Sequence, residues 1–296
     1  MSLTKNQFDV LSFFAQAKGH PTQRDTAHAL GKSLGLVNKT VAELKALGCI
    51  DEKGEPTEKG NLALEPYRVK RAVIIAAGFS SRLAPVTLST PKPLVRVHGK
   101  RIIDSLLDAL TAAGITEIYV IRGYRGEQFE ELKQSYPSIR FIENPRYNEE
   151  NNISSMVAAS GHFENAYVCE ADLILQKPGL ISKYQYHTNY LAFQTDKTDD
   201  WCFYERNGCI SRLSVGGVRC WQMIGISYWN EEDGKRLSRD IRAVYDMPGG
   251  KERYWDQVPL EYRLKDYNVR IRECVKNDII EIDTFPELKS IDAAYC

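Results

Sequence analysis

The stretch VKRAVIIAAGFSSRLAPVTLSTPKPL, residues 69–94, decides the fold. Its first part, VKRAVIIAA, is an apolar run typical of a strand buried on both faces of a sheet. The run breaks at Gly78 into small and hydroxylated residues that include one arginine, Arg82, and one lysine, Lys92. The sequence matches neither the Walker A motif nor the dinucleotide-binding fingerprint.

This loop can bind phosphate. Ala76, Ala77 and Gly78 let a nucleotide approach the backbone without meeting a side chain, and the N–H groups after Gly78 can line a concavity for phosphate oxygens. Ser81 is a further candidate for binding the nucleotide. The guanidinium of Arg82 can hold a phosphate through two hydrogen bonds, and Lys92 adds a compact charge. The alternative is a surface loop with two solvated cations, and spacing alone does not decide between the two interpretations.

From Val69 onward, strands and helices alternate, which predicts an α/β fold with a mostly parallel sheet sandwiched by helices. Ligands of such sheets bind at the carboxyl ends of the strands, here residues 76–78, 123–124, 144 and 170–172. Asn207-Gly208 suits the turn of a hairpin over WCFYERNGCISRLSVGG. The other predicted elements are the helices RIIDSLLDALTAAG, GEQFEELKQSY, NISSMVAASGHF and EEDGKRLSRDIRAVYDM, the strands TEIYVIRG, RFIEN, AYVCEAD, WQMIGISYW and IIEI, and a final helix.

Residues 1–66 have a different, helical pattern and are predicted to form a separate domain, with residues 67–296 as the second. Thr4 and Thr22 are predicted N-caps, and Gly48 ends a helix over SLGLVNKTVAELKALG. This order, followed by DEKGEPTEKG, resembles the winged helix-turn-helix domains of bacterial regulators. DNA is a candidate partner of this domain, but its eight basic and eight acidic residues cancel, whereas phosphate binding favours a cationic excess. The alternatives are interdomain packing, dimerisation and ligand-linked control.

Bulk composition excludes several function classes. The 296 residues include 39 basic and 39 acidic ones, so no overall field attracts nucleic acid or anionic membranes. No apolar run reaches the roughly 20 residues of a membrane span, and no secretory signal begins the chain. The seven cysteines lack metal-ligand spacing and are expected to be reduced thiols. We expect a cytoplasmic protein without a membrane partner; its oligomeric state is left open.

The loop also carries a family resemblance. A-A-G-x-x-S-R-L followed by T-P-K-P-L-V resembles the signature of nucleotidyltransferases that join an NTP to a phosphorylated small molecule, a family with a Rossmann-like fold. One position departs from the signature, because its second glycine is Ser80 here. Farther along, ENNISSM, EAD, TDDWCFY, YWDQV and DIIEIDTFPEL resemble the bacterial CTP:phosphocholine cytidylyltransferase family, with Glu170 where that family commonly has aspartate.

The resemblance implies Mg²⁺ as cofactor and two residues that hold it. Magnesium prefers hard oxygen ligands, and Asp172 ends a predicted buried strand, where a carboxylate needs a partner. Asp283 ends the late strand IIEI and, by the family pattern, faces Asp172 across the cleft. The alternative for Asp283 is that it only caps the last helix. Arg82 and Lys92 are the expected catalytic cations, stabilising charge on the α-phosphate and pyrophosphate.

The resemblance also implies sites for the acceptor and the base. A quaternary ammonium suits aromatic faces with an acid nearby. The choline-binding candidates are Trp201, Tyr254, Trp255, Asp256 and Glu281. The alternative is that the aromatic residues belong to the core. For the nucleotide, the family pattern adds Gly123, Tyr124, Asn152 and Ser154 to the loop residues.

The expected function is therefore Mg²⁺-dependent transfer of cytidylyl from CTP to phosphocholine, giving CDP-choline and pyrophosphate. A rival keeps the chemistry but uses phosphoethanolamine or 2-aminoethylphosphonate, which Asp199, Asp200 and Asp256 would favour. A sugar 1-phosphate is a third acceptor. A rival of another class is a transcriptional regulator whose nucleotidyltransferase-like domain only senses a ligand.

Overall fold

The computed structural model describes residues 2–17 and 19–296, which form two compact units. The first unit comprises the chain up to Arg68 together with Tyr184–Tyr186. Its helices are α1 (Lys5–Gln16), α2 (Gln23–Ala29), α3 (Leu34–Ala46) and α4 (Glu58–Leu64). Ile50 and Pro56 form an isolated antiparallel bridge between α3 and α4.

Local capping chemistry explains where these helices begin. The side chains of Thr4 and Thr22 accept hydrogen bonds from the backbone N–H groups of Gln7 and Asp25, and both form complete capping boxes. Ser33 caps α3, and Gly48 follows the helix in the left-handed conformation. The predicted caps and the predicted stop are thus confirmed.

The outer face of α3 is poor in free cations. Lys39 is exposed, but the ammonium of Lys45 donates to the carbonyl and the carboxylate of Glu52. This surface does not offer the row of cations that phosphate contacts need. The winged-helix architecture and DNA binding both stay predictions.

The second unit comprises Val69–Lys183 and His187–Cys296. Its strands are β1 (Arg71–Ile75), β2 (Arg96–Val97), β3 (Lys100–Arg101), β4 (Glu117–Arg122), β5 (Ile139–Glu143), β6 (Ala166–Glu170), β7 (Leu173–Leu175), β8 (Asn189–Arg206), β9 (Cys209–Trp229), β10 (Arg270–Glu273) and β11 (Ile279–Glu281). Its helices are α5 (Asp104–Ala112), α6 (Ile153–Ala158), α7 (Glu231–Tyr245) and α8 (Phe285–Ile291).

A seven-stranded sheet in the order β10-β8-β9-β6-β1-β4-β5 forms the centre. The neighbours β6, β1, β4 and β5 are parallel, whereas β9 is antiparallel to both β6 and β8. On one face, Ile74 and Val120 pack with Leu106 and Leu110 of α5. On the other face, strand residues pack with Met156 of α6 and with Leu237 and Ile241 of α7. The predicted mostly parallel α/β sandwich is confirmed.

Some elements differ from their predictions. The segment Gly126–Gln134 forms 3-10 turns in place of the predicted α-helix, and α6 is shorter than predicted. The hairpin and the strand predicted within residues 201–229 belong to one ladder, because β9 runs without interruption for 21 residues beside β8. The strand β11 pairs with β7 outside the main sheet.

Two further findings concern composition. Five of the seven cysteines are buried, and all seven are free thiols, as expected. Among the described residues, no helix has both the length and the apolar character required to cross a bilayer.

Candidate active site

A cavity of about 840 Å³ opens at the carboxyl ends of β6 and β1 and extends to β8 and β9. It is the expected place for a ligand of a parallel sheet. The lining includes twelve of the predicted site residues: Ala76, Ala77, Gly78, Arg82, Lys92, Asn152, Asp172, Trp201, Tyr254, Asp256, Glu281 and Asp283. One cavity therefore unites the loop, the predicted metal carboxylates and most of the predicted acceptor residues.

The loop predicted to bind phosphate contains a left-handed residue where the resembled signature has its second glycine. Ser80 has φ +50° and ψ +48°, and a short 3-10 turn, Ser81–Leu83, follows it. Glycine adopts this conformation without penalty, whereas a residue with a Cβ is strained in it. The backbone path that the signature glycine allows is thus kept here by a serine. Ser80 lines the cavity, and Arg82 beyond it is largely exposed.

Lys92 bridges the two predicted metal carboxylates. Its buried ammonium donates to Oδ2 of Asp172 at 2.7 Å and to Oδ1 of Asp283 at 3.0 Å. The guanidinium of Arg82 lies 3.1 Å from the same Oδ1 of Asp283. Burial disfavours the charged lysine, but the two carboxylates outweigh burial and raise the pKa of Lys92. The site therefore holds a charged lysine at neutral pH.

The Asp283 side chain is free of the capping role that we considered for it. Thr284 caps α8, since its side chain accepts from the N–H of Glu287, and Glu287 accepts in turn from the N–H groups of Asp283 and Thr284. The carboxylate of Asp283 points into the cation network instead.

Three carboxylates in the cavity have the geometry of a metal site. Glu170, Asp172 and Glu281 each present one oxygen, and these oxygens all lie within 4.8 Å of one another. Oδ1 of Asp172 is buried and has no hydrogen-bond partner, as expected of an atom that needs a cation. These three residues thus fit a divalent ion. Asp283 is connected to them through the ammonium of Lys92, which donates to both Asp172 and Asp283.

Crowding of acids shifts their protonation. Burial first, and then the charges of Asp172, Asp256 and Glu281, raise the pKa of Glu170 well above its usual value. Burial, with Asp172 and Asp283, raises the pKa of Glu281 to about 8. Burial and the neighbouring acids thus disfavour the ionised form of both groups, and Lys92 opposes part of this effect.

Asp256 is the most deeply buried acid of the cavity. The hydroxyl of Tyr190 donates to its Oδ1 at 2.6 Å. Burial raises the pKa of Asp256 to about 7, and the hydrogen bond from Tyr190 opposes part of that shift.

The aromatic candidates separate into wall and core. Trp201 and Tyr254 line the cavity, and their rings meet edge to face with centroids 5.4 Å apart. Trp255 lies in the hydrophobic core instead, 1% exposed, between the rings of Tyr190 and Trp229. A turn begins at Trp255, directly after Tyr254, so the Tyr254 ring faces the cavity whereas the Trp255 ring packs inward. The structure therefore does not bring Trp255 into contact with the cavity.

A β-bulge directs acidic residues into the cavity. Thr198 pairs with Gly217 and Trp201 pairs with Val215, so β8 has one more residue than β9 across this interval. A bulge of this kind re-aims side chains. Thr198, Asp199, Asp200 and Trp201 consequently line the cavity together.

Four predicted nucleotide residues lie outside the cavity lining. Ser81 is exposed beside the loop, and Ser154 bonds internally with Asn144 and with the carbonyl of Asn151. Gly123 leaves room for the ring of Tyr147, since a Cβ there would lie 2.6 Å from that ring. The hydroxyl of Tyr124 donates to the carbonyls of Thr87 and Leu88. Asn152 lines the cavity and also accepts from the N–H of Trp255.

The remaining lining residues were not among the predicted site residues. Glu170 was noted at a strand end and as a departure from a motif, and Asp199 and Asp200 as acids that would favour a primary-amine acceptor. Met223 and Gly225 are two positions apart on β9 and therefore share one face of the strand. The sequence could have predicted both as lining residues only if it had shown which face meets the cavity. These additional lining residues are Ile75, Ser80, Pro93, Glu170, Ala171, Thr198, Asp199, Asp200, Met223 and Gly225.

The chain is similar to known cytidylyltransferases. The chain is 34% identical over 253 residues to a 2-aminoethylphosphonate cytidylyltransferase of Lancefieldella rimae, covering 84% of this chain and 98% of the relative. It is 32% identical to a choline-phosphate cytidylyltransferase of Haemophilus influenzae, covering 74% and 95% of the two chains.

A solved CTP:phosphocholine cytidylyltransferase from Streptococcus pneumoniae superposes with a TM-score of 0.70 at 28% identity, covering 77% of this chain and all of that one. Residues 72–234 match the family model of the MobA-like NTP transferase domain. The chain belongs to the MobA-like NTP transferase family.

Proposed function

We propose that this protein is a cytidylyltransferase that joins CTP to a small phosphonylated or phosphorylated amine, with 2-aminoethylphosphonate as the preferred acceptor. The observation that carries the proposal is that one cavity contains the two cations of the loop, the carboxylate cluster and a group of acidic and aromatic side chains. We call this last group the corner; its residues are Asp199, Asp200, Trp201 and Tyr254. The 2-aminoethylphosphonate and choline-phosphate cytidylyltransferases among its relatives support the choice of nucleotide and acceptor class.

In the proposed reaction, a phosphonate oxygen of the acceptor attacks the α-phosphorus of CTP. The bond from that phosphorus to the oxygen bridging to the β-phosphate breaks, and pyrophosphate leaves. The attacking oxygen is already anionic, so no general base is needed. Arg82 and Lys92 neutralise the charge that accumulates on the phosphates, which is the main task of catalysis in such transfers.

We propose Mg²⁺ as the cofactor, held by Asp172 with Glu170 and Glu281, or by Asp172 with Asp283. When bound, it supplies Lewis-acid polarisation of phosphate oxygens. Lys92 holds Asp172 and Asp283 together in the meantime, which keeps the cluster compact despite its like charges.

The corner favours a primary ammonium. Among the described residues, two aromatic side chains line the cavity, Trp201 and Tyr254. Trp255 does not add a third ring, because it lies in the core. Asp199 and Asp200 are exposed acids beside them. Three N–H donors of an ammonium can bond to such carboxylates, whereas a trimethylammonium has no donor and depends on ring faces.

Phosphocholine is the second candidate acceptor. The edge-to-face pair of Trp201 and Tyr254 forms two walls of a partial cage for a quaternary ammonium. A variant of Asp199 distinguishes the two acceptors. Asp199→Asn is expected to lower kcat/KM for 2-aminoethylphosphonate about tenfold, since it removes one charge-assisted hydrogen bond. The same variant is expected to leave phosphocholine turnover nearly unchanged.

Pyrophosphate release by the full chain tests the proposal. CTP, UTP, ATP and GTP are each combined with 2-aminoethylphosphonate, phosphocholine, phosphoethanolamine and glucose 1-phosphate, with Mg²⁺ or with a chelator. The highest kcat/KM is expected for CTP with 2-aminoethylphosphonate. Absence of turnover with CTP and every amine would exclude the proposal. Nucleotide binding without turnover would instead favour the ligand-sensing regulator.

A further inference from the structure

Three strand ends next to the cavity each contribute one aromatic ring. Phe79 follows β1, Tyr124 follows β4 and Tyr147 follows β5. The Phe79 ring lies 4.9 Å from the Tyr124 ring and 5.2 Å from the Tyr147 ring, measured between centroids, and both contacts are tilted. We name these three residues the aromatic cluster.

The rest of the fold holds this cluster in place. The Tyr124 N–H donates to the carbonyl of Ala77 at 3.0 Å, and the Tyr124 hydroxyl donates to the carbonyl of Thr87 at 2.9 Å. Tyr147 approaches closely because Gly123 has no Cβ. Phe79 nevertheless stays 45% exposed. A large ring is thus fixed by two neighbours while leaving much of its surface to solvent, and the residues before and after it, Gly78 and Ser80, line the cavity.

The order of strands places the cluster on the side of the reaction centre opposite to the acceptor. Trp201 lies on β8, Asp172 follows β6, and the loop follows β1, while β4 and β5 continue beyond it. Neighbouring strands are about 4.8 Å apart. A nucleotide whose phosphates lie at the loop, with the acceptor arriving from the β8 side, therefore extends its nucleoside toward β4 and β5.

We propose that Phe79 is a stacking surface for the nucleotide base, with Tyr124 and Tyr147 as positioning residues that fix its ring. The inference rests on the proposed function for the identity of the ligand. Every base has a π face, so stacking adds affinity for any nucleoside triphosphate without selecting cytosine.

Direct binding measurements with two ligands test this role. The affinities of CTP and of inorganic tripolyphosphate, which has no base, are measured with Mg²⁺ for the wild type, Phe79→Ala and the control Leu88→Ala. Leu88 is exposed on the same loop but lies outside the cluster. Phe79→Ala is expected to weaken CTP binding about tenfold and to leave tripolyphosphate binding unchanged. The control is expected to bind both ligands as the wild type does.

A second variant, Phe79→Trp, reports stacking by fluorescence. CTP is expected to quench the new tryptophan more than tripolyphosphate does, relative to the same titrations of the wild type. Equal losses for both ligands in Phe79→Ala would show that Phe79 only shapes the loop and would overturn the inference, as would unchanged CTP affinity. Base-dependent binding without cytidylyl transfer would support the inference while excluding the proposed function.

Discussion

The ammonium of Lys92 lies 2.7 Å from Oδ2 of Asp172 and 3.0 Å from Oδ1 of Asp283, although 80 and 191 residues separate the lysine from these acids. The side chain of Lys92 is only 5% exposed, whereas those of Asp172 and Asp283 are about a quarter exposed. The lysine thus holds the two acids together, and in the proposed function it has a second task, to supply charge for phosphate.

Lys92→Met separates these tasks. The two carboxylates would lose their buried counter-charge, and we expect the free energy of unfolding to fall by about 1–3 kcal/mol. Pyrophosphate release is expected to fall at least about a hundredfold. Adding Asp283→Asn should restore part of the stability by removing one like charge, but no activity. Urea unfolding and the pyrophosphate assay measure the two effects. Unchanged stability in Lys92→Met would contradict the bridging role.

Ser80→Gly should stabilise the protein. The left-handed conformation of Ser80 costs a residue with a Cβ about 1–2 kcal/mol, of which the greater entropy of glycine in the unfolded chain removes about half. A net gain of about 0.5–1 kcal/mol corresponds to a rise in Tm of about 1–4 °C. Ser81→Gly is the control, because Ser81 begins a 3-10 turn and does not have a positive φ. A lower Tm for Ser80→Gly than for Ser81→Gly would show that the serine is not strained.

The pKa of Asp256 predicts a pH-dependent stability. Burial raises it from 3.8 to about 7 in the folded state, so the folded protein binds a proton that the unfolded chain releases. The free energy of unfolding should therefore fall as the pH rises from 4 to 7, by at most roughly 4 kcal/mol, and then level off. Asp256→Asn should make this slope shallower without abolishing it, because the raised pKa values of Glu170 and Glu281 contribute with the same sign. Urea unfolding measures the free energy of unfolding of the wild type and of Asp256→Asn at pH 5 and pH 8. An equal change between the two pH values in both proteins would show that another group causes the pH dependence.

Neighbouring aromatic residues should respond differently to truncation. Trp201→Ala removes a wall of the cavity and is expected to raise KM for the acceptor with little change in Tm. Trp255→Ala creates a void in the core and is expected to lower the free energy of unfolding by about 3–5 kcal/mol. Thermal unfolding and acceptor titrations distinguish the two. A selective KM effect for Trp255→Ala, with stability retained, would return this residue to the acceptor site.

The sequence predicted features whose causes lie within a few residues. The caps at Thr4 and Thr22 depend on residues three positions away, and the buried strand before Gly78 depends on its own apolar run. The family signature added residues that meet only in three dimensions, such as Lys92, Asp172 and Asp283. Most of the cavity lining was therefore accessible from sequence.

Other features depend on neighbours that a single sequence does not specify. Tyr254 and Trp255 are equally aromatic, and only the packing of Tyr190 and Trp229 decides which of the two is core. The bulge between Thr198 and Trp201 arises from the register of two long strands, so the inward turn of Asp199 and Asp200 has no local signal. The segment after Gly126 has a helical pattern but tightens into 3-10 turns.

The bulge on β8 lies on a different strand from the loop that follows β1, so these two parts of the cavity can change independently in evolution. The residues Asp199, Asp200 and Trp201 of the corner lie on β8, whereas the loop with Arg82 follows β1 and the aromatic cluster follows β1, β4 and β5. In the proposed function, substitutions within Thr198–Trp201 can therefore alter which acceptor is used while the end proposed to bind the nucleotide keeps its side chains. A sheet arranged in this way lets one cytidylyl-transfer chemistry diversify over many acceptors through a few residues of a single strand.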